Sequence, residues 1–201
     1  MTESVRVYFQ NDFDTKASAE KRAQSSRRFV ADSLRRYLEH AGREIPKAAI
    51  DGVAKGALPD GSPAFVYGPH GKPFFADPSL TGLYFSLSHT TGACVCAVSD
   101  APVGCDIERP KIRDMQEDRF VKIAKRFFAP DEAERIMHDP VHAFFPIWTK
   151  KEAFVKWTGK GIAEGLSSFS VFDLPERIVC ENVTLAGAED AVCAICYAPE
   201  A

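Results

Sequence analysis

No run of uncharged apolar residues in the 201-residue sequence approaches the 18 or so that a membrane span requires. The stretch Met1 to Gln10 lacks a basic segment leading into an apolar one, so a secretory signal is not expected. Positive charge is not in surplus either: 25 Lys and Arg against 28 Asp and Glu leave −3, which disfavours nucleic acid as a partner. There is no low-complexity segment and no long flexible linker. A disordered chain is excluded by what is present, since 15 Phe within an 11 % aromatic fraction supply apolar surface to offset chain entropy. The six cysteines lack a metal-site pattern. Cys193-Ala-Ile-Cys196 has redox or zinc spacing, but no second pair or nearby His completes it. Cys94, Cys96, Cys105, Cys193 and Cys196 fall in β-like apolar runs and read as buried structural thiols. A cytoplasmic globular protein is expected.

The mild net charge hides a segregation. Lys16 to Lys47 holds nine Lys and Arg against four Asp and Glu, a sum of +5. Ile147 to Gly161 sums to +4 − 1 = +3, and Asp173 to Ala201 to +1 − 6 = −5. Such asymmetry suggests an anionic ligand met by particular faces, with a solvated basic helix as the alternative.

Alternation of Val5, Val7 and Phe9 with polar neighbours predicts a strand over Ser4 to Gln10. A helix is expected from Ser18 to His40, with Phe29, Val30, Ser33, Leu34, Tyr37 and Leu38 as its apolar stripe and Gly42 beyond its end. Pro46 to Lys55 reads as a second helix, Ala64 to Tyr67 as a strand and His70 to Pro73 as a turn. Strands are predicted at Leu83 to Leu87, Ala93 to Val98 and Val103 to Glu108, with turns at Ser88 to Gly92 and Ser99 to Pro102. Helices should follow over Asp114 to Phe127, with Met115 on its apolar face, and over Pro130 to Met137. A last helix has Asp139 as N-cap, Pro140 at its first position and Gly159 as terminator; Pro146 should kink it or split off its first turn. Strands resume at Ser168 to Asp173, Ile178 to Glu181 and Ala191 to Tyr197, and the class is α+β.

Two acidic sites stand out. A strand period of two places Asp106 and Glu108 on one face, where like charges repel unless a cation or protons lie between them. A hard divalent cation is the economical solution; a strand end with both acids in water is the alternative. In Trp148 to Gly161, Trp148, Glu152 and Lys156 are spaced i, i+4, i+8 and share a helix face. Glu152 could add a third carboxylate to a metal, and Lys156 could neutralise phosphate charge or protonate a leaving oxygen. Ser88 and His89 are adjacent on an extended chain, so they point to opposite faces and cannot form a nucleophile–base pair. No G-x-S-x-G elbow is present either.

Taken together, Gly71-Lys72-Pro73, Phe85 to Thr90, Val103 to Glu108, Lys125 to Phe128, Trp148 to Gly161 and Leu166 to Val171 resemble, in order and spacing, the Sfp-type 4′-phosphopantetheinyl transferases. The resemblance implies two similar α+β halves in a pseudo-twofold arrangement, expected here as residues 1–101 with coenzyme A contacts and 102–201 with metal and catalytic motifs. It implies transfer of the phosphopantetheine arm of coenzyme A to a serine of an apo acyl or peptidyl carrier protein, releasing 3′,5′-ADP. By resemblance, Asp106, Glu108 and Glu152 would hold Mg2+ (or Mn2+), with Asp106 and Glu152 also catalytic. Glu152 would be the base, directly or through water, and Lys156 would stabilise the departing oxygen. Lys72, Ser88 and His89 would hold the nucleotide phosphates, His89 near the 3′-phosphate, and Arg27 and Arg28 best match the family's amino-terminal basic contacts. Coenzyme A and a carrier protein would be its partners, without nucleic acid or membrane, and the chain a monomer. Phe127 and Phe128 are candidates for carrier docking, with core packing the alternative. A metal-dependent phosphohydrolase and a non-catalytic coenzyme A or carrier-binding module are the rival readings.

Overall fold

The computed structural model describes residues 5–110, 117–161 and 165–199. Ser4, Asp114, Met115 and the tail residues Glu200 and Ala201, which figure in the expectations above, lie outside them. The first half opens with β1 (Val5–Asn11), α1 (Ala19–His40) and α2 (Lys47–Lys55). A short hairpin follows, β2 (Phe65–Tyr67) and β3 (Pro73–Phe75), and then β4 (Tyr84–Thr90) and β5 (Ala93–Ser99). The second half runs β6 (Val103–Glu108), α3 (Glu117–Phe127), α4 (Pro130–His138), α5 (Pro140–Thr158), β7 (Val179–Val183) and β8 (Val192–Tyr197).

Two antiparallel three-stranded sheets result, β1-β5-β4 and β6-β8-β7, each ordered first, third, second along the chain. Pairing of Val5 with Ser99, Val7 with Ala97 and Phe9 with Val95 sorts the first sheet into two faces. Cys94, Cys96, Val98, Tyr8 and Phe85 pack against the predicted stripe of α1. The opposite face, with Val5, Ala93, Val95 and Ala97, packs on Val103, Cys105, Ile107, Cys193, Ile195 and Tyr197 of the second sheet. The far face of that sheet carries α5. The layers are therefore helix, sheet, sheet, helix, and the central strand β5 is buried along its whole length. That explains why Ala93 to Val98 is apolar at every position instead of alternating. The class is α+β, and the five named cysteines are free and buried.

Three expectations are corrected. Ser88 to Thr90 is not turn but strand, because β4 continues to a tight connection at Thr91-Gly92 and stays paired with Val95, Cys94 and Ala93. Ser168 to Asp173 is not a strand: its polar groups are taken by side chains instead of a neighbouring strand. Phe169 O accepts from Lys151, Ser170 Oγ donates to Asp131, and Val171 N donates to Glu132. Finally, of the two outcomes expected at Pro146 the split does not occur: α5 runs on across it, and the first turn stays attached and capped by Asp139, whose side chain accepts from His142 N.

Candidate active site

Asp106 and Glu108 sit on the face of β6 that meets α5, and Gly104 makes that meeting close. A Cβ at Gly104 would overlap the Ala153 carbonyl oxygen and the Trp157 nitrogen. The helix therefore lies directly on the strand and carries Glu152 and Lys156, one turn apart, toward the acids. Lys156 Nζ donates to Asp106 Oδ1 at 2.7 Å, and Ser88 Oγ donates to the same oxygen at 2.7 Å. Asp106 is only 5 % exposed, and its second oxygen, Oδ2, is buried without a hydrogen-bond partner. Thr90 Oγ1 donates to Glu108 Oε2 at 3.4 Å.

The charges follow from this crowding. Burial, and after it the Asp106 charge, pushes the Glu108 carboxyl up; hydrogen bonds from Thr90 and Trp148 pull it back in part. Burial and Asp106 likewise raise Glu152, with Lys156 opposing. For Lys156, burial pulls the ammonium down, yet the Asp106 charge and hydrogen bond, with Cys105 and Glu152, outweigh it and leave the group raised. Among the described residues no three His, Cys, Asp or Glu side chains converge tightly enough to form a ready-made metal cluster. The donor set nevertheless fits a hard cation: Asp106 Oδ2 is a buried oxygen lacking a donor, and its charge acts on both glutamates.

Two clefts open on this group and a third adjoins one of them. His70, Lys72, Ser86, Lys156, Gly159 and Gly161 contribute to one of about 350 Å³. It shares Pro73, Phe85 and Leu87 with a second of about 270 Å³, which Arg27 and Tyr67 enter. The third, about 500 Å³, lies beyond Glu108 and is lined by Arg109, Arg119 and the rings of Phe120, Phe144, Phe145 and Trp148.

The expected residues divide accordingly. Asp106, Ser88 and Lys156 are joined by hydrogen bonds, with Glu108 and Glu152 in the same electrostatic field. Lys72 Nζ donates to Trp157 O at 2.9 Å and Val103 O at 3.3 Å, lying across the end of α5, and burial lowers its ammonium to about 8. His89 points to the opposite face of β4 from Ser88 and stacks on Phe13 at 4.9 Å. It shares that face with Phe85 and Leu87, which line the cleft of Arg27. Arg28 is exposed on α1. Phe128 is buried in the core at 4 % exposure, whereas Phe127 is 41 % exposed.

Lys151, part of the basic run, turns into the core. It is wholly buried, 2.6 Å from Glu132 Oε2 and over the Phe169 ring. Sequence reasoning missed that pair, and also Arg109 and Arg119; it had Thr90 within the Phe85 to Thr90 run but not its Glu108 partner. The alternation of Ser86, Ser88 and Thr90 was the available signal for a hydroxyl stripe aimed at β6.

Fold and site thus define an α+β protein of two like-ordered sheets, whose acid–lysine group stands on a rigid strand and helix instead of on loops. Residues 102–196 match the model of the 4′-phosphopantetheinyl transferase superfamily. The 4′-phosphopantetheinyl transferase psf-1 of Bacillus pumilus is 40 % identical over 158 residues, 76 % of this chain and 62 % of that protein. A 4′-phosphopantetheinyl transferase of Bacillus subtilis is 35 % identical over 158 residues, 77 % and 65 % of the two chains. The 4′-phosphopantetheinyl transferase AcpT of Salmonella typhi is 37 % identical over 139 residues, 65 % and 67 %. The match spans less than two thirds of the length of the first two relatives. The chain belongs to the 4′-phosphopantetheinyl transferase superfamily.

Proposed function

We propose that the protein transfers the 4′-phosphopantetheine arm of coenzyme A to a serine of an apo acyl or peptidyl carrier protein, releasing 3′,5′-ADP. The carrying observation is the Lys156–Asp106–Ser88 junction of α5, β6 and β4, with an unpartnered Asp106 oxygen, beside a cleft containing Lys72. Phosphoryl transfer needs an aligned hydroxyl and positive charge at the leaving group far more than covalent chemistry from the protein. The serine oxygen forms a bond to the phosphorus bearing the pantetheine arm while the pyrophosphate P–O bond breaks. Glu152, whose carboxyl is raised by burial and the Asp106 charge, takes the serine proton. Lys156 stabilises the departing oxygen of 3′,5′-ADP.

Arg27, Arg28, Lys72 and His89, with Lys156, would receive the nucleotide phosphates; Ser88 enters through Asp106, which already holds its hydroxyl. Asp106, Glu108 and Glu152 would hold Mg2+, for which Mn2+ could substitute, and the ion would neutralise pyrophosphate charge when bound. In this reading residues 1–101 bring the coenzyme A contacts and 102–201 the metal and catalytic groups. One chain then supplies both sides of the site, which supports a monomer, and six free cysteines suit a reducing cytoplasm.

The test is incubation of the protein with coenzyme A, Mg2+ and several apo carrier proteins, read by intact mass. A phosphopantetheine adduct on a carrier, with 3′,5′-ADP released, is expected. Hydrolysis of coenzyme A without adduct would make it a phosphohydrolase; binding without turnover would make it a recognition module.

A further inference from the structure

The polar face of β4 lies along the free edge of β6. Ser86, Ser88 and Thr90 leave the same face of the strand because they recur at every second residue. Ser86 Oγ accepts from Cys105 N at 3.0 Å and so seals an N–H on the edge of the second sheet. The next two hydroxyls end on carboxylates: Ser88 on Asp106 Oδ1 at 2.7 Å, Thr90 on Glu108 Oε2 at 3.4 Å. Each hydroxyl has one proton, and in both cases it is given to an acid.

The consequence is clearest at Asp106. Its Oδ1 takes two short hydrogen bonds, from Ser88 on one side and Lys156 on the other, while Oδ2 takes none. Two donors from different elements fix the plane of the carboxylate, so the free oxygen has a set direction. Lys156 alone, on a four-carbon stem, would leave the group able to swing with it. Ser88 is 8 % exposed and stands on a strand paired along its length with β5, so its own position is rigid.

We infer that Ser88 and Thr90 are positioning residues that orient Asp106 and Glu108 toward a divalent cation, and that Ser88 acts through Asp106 instead of on a phosphate. The inference rests on the cation site proposed above. It separates two neighbours in the chain: Ser88 serves the acids from one face of β4, and His89 on the other face remains available to an anion.

The test titrates Mn2+ alone into the full chain, with free Mn2+ followed by electron paramagnetic resonance. Coenzyme A affinity is measured separately by calorimetry without metal. Ser88→Ala is expected to lose about tenfold or more in Mn2+ affinity, the range for removing a hydrogen-bond partner of a metal ligand. Ser88→Thr restores most of it, and Thr90→Val loses less, its hydrogen bond being longer. Metal-free coenzyme A affinity stays at the wild-type value in all three. Wild-type Mn2+ affinity in both Ser88→Ala and Thr90→Val would overturn the inference alone, leaving the cation site standing. Weakened coenzyme A binding with unchanged Mn2+ affinity would make Ser88 a phosphate ligand. A wild-type chain that binds no Mn2+ would remove the cation site and this inference with it. Should Ser88→Ala fail to fold by circular dichroism, Thr90→Val decides the matter, since it preserves the side chain's shape.

Discussion

At the scale of single residues the site depends on charges held against their preference for water. In the proposed reaction the proton acceptor is Glu152, half-buried and raised by burial and the Asp106 charge. Glu152→Gln keeps the shape and removes the proton acceptor, so turnover should fall about 10²-fold or more while the circular dichroism spectrum is retained. Near-normal transfer to an apo carrier would remove that role. Lys72 makes a different prediction. With its ammonium lowered to about 8 by burial, it is charged below that pH and neutral above it. Anion binding favours the charged form, so coenzyme A affinity should weaken as pH rises through about 8. In Lys72→Met, calorimetry across this pH range should show that step gone; a wild-type slope persisting in the variant would assign it to another group. These residues were legible because charged groups at periods of two and four announce a strand face and a helix face. Lys151 was not, since nothing in a run of lysines says which one turns inward to Glu132.

At the scale of elements, the approach of α5 to β6 decides whether the acids and the lysine meet. Gly104→Ala would place a methyl group against the backbone of Ala153 and Trp157. Overpacking of this kind costs about 1–3 kcal/mol or more, because backbone must shift. It should also carry Lys156 away from Asp106, so a lower urea midpoint and lost activity are expected together; an unchanged midpoint would show that the helix already stands off. On the other side of α5, Lys151 and Glu132 form a buried pair whose acid also accepts from Ala129 N and Val171 N. Glu132→Gln leaves the lysine without its counter-charge, a loss of about 3–5 kcal/mol by urea denaturation. That pair also explains why the strand expected at Ser168 to Asp173 fails to form. Apolar alternation there resembles a strand, but the partners of its backbone are side chains distant in sequence, which local pattern cannot reveal. Elements closed by local chemistry were readable instead, among them the Asp139 cap, the Gly159 terminator and the α1 stripe.

For the whole molecule, the two sheets share a strand order without sharing residues. β1 reads VRVYFQN and β6 reads VGCDIE, so no repeat is visible in the sequence even though the topology repeats. What unites the halves is the layer between the sheets, where Val5, Val95 and Ala97 meet Val103, Ile107 and Ile195. Cutting that layer would expose an apolar sheet face on each side, at about 25 cal/mol per Å² of surface uncovered. The halves should therefore unfold together. Both tryptophans, Trp148 and Trp157, lie on α5 in the second half, whereas strands and helices of both halves contribute to far-ultraviolet circular dichroism. Fluorescence and circular dichroism should then trace one coincident urea transition. Ile107→Ala, which removes side-chain volume from the shared layer, should shift both signals equally, by about 2–5 kcal/mol. Two separated transitions, with fluorescence following only the second half, would mean that each sheet closes its own core and the site is assembled by docking of independent units.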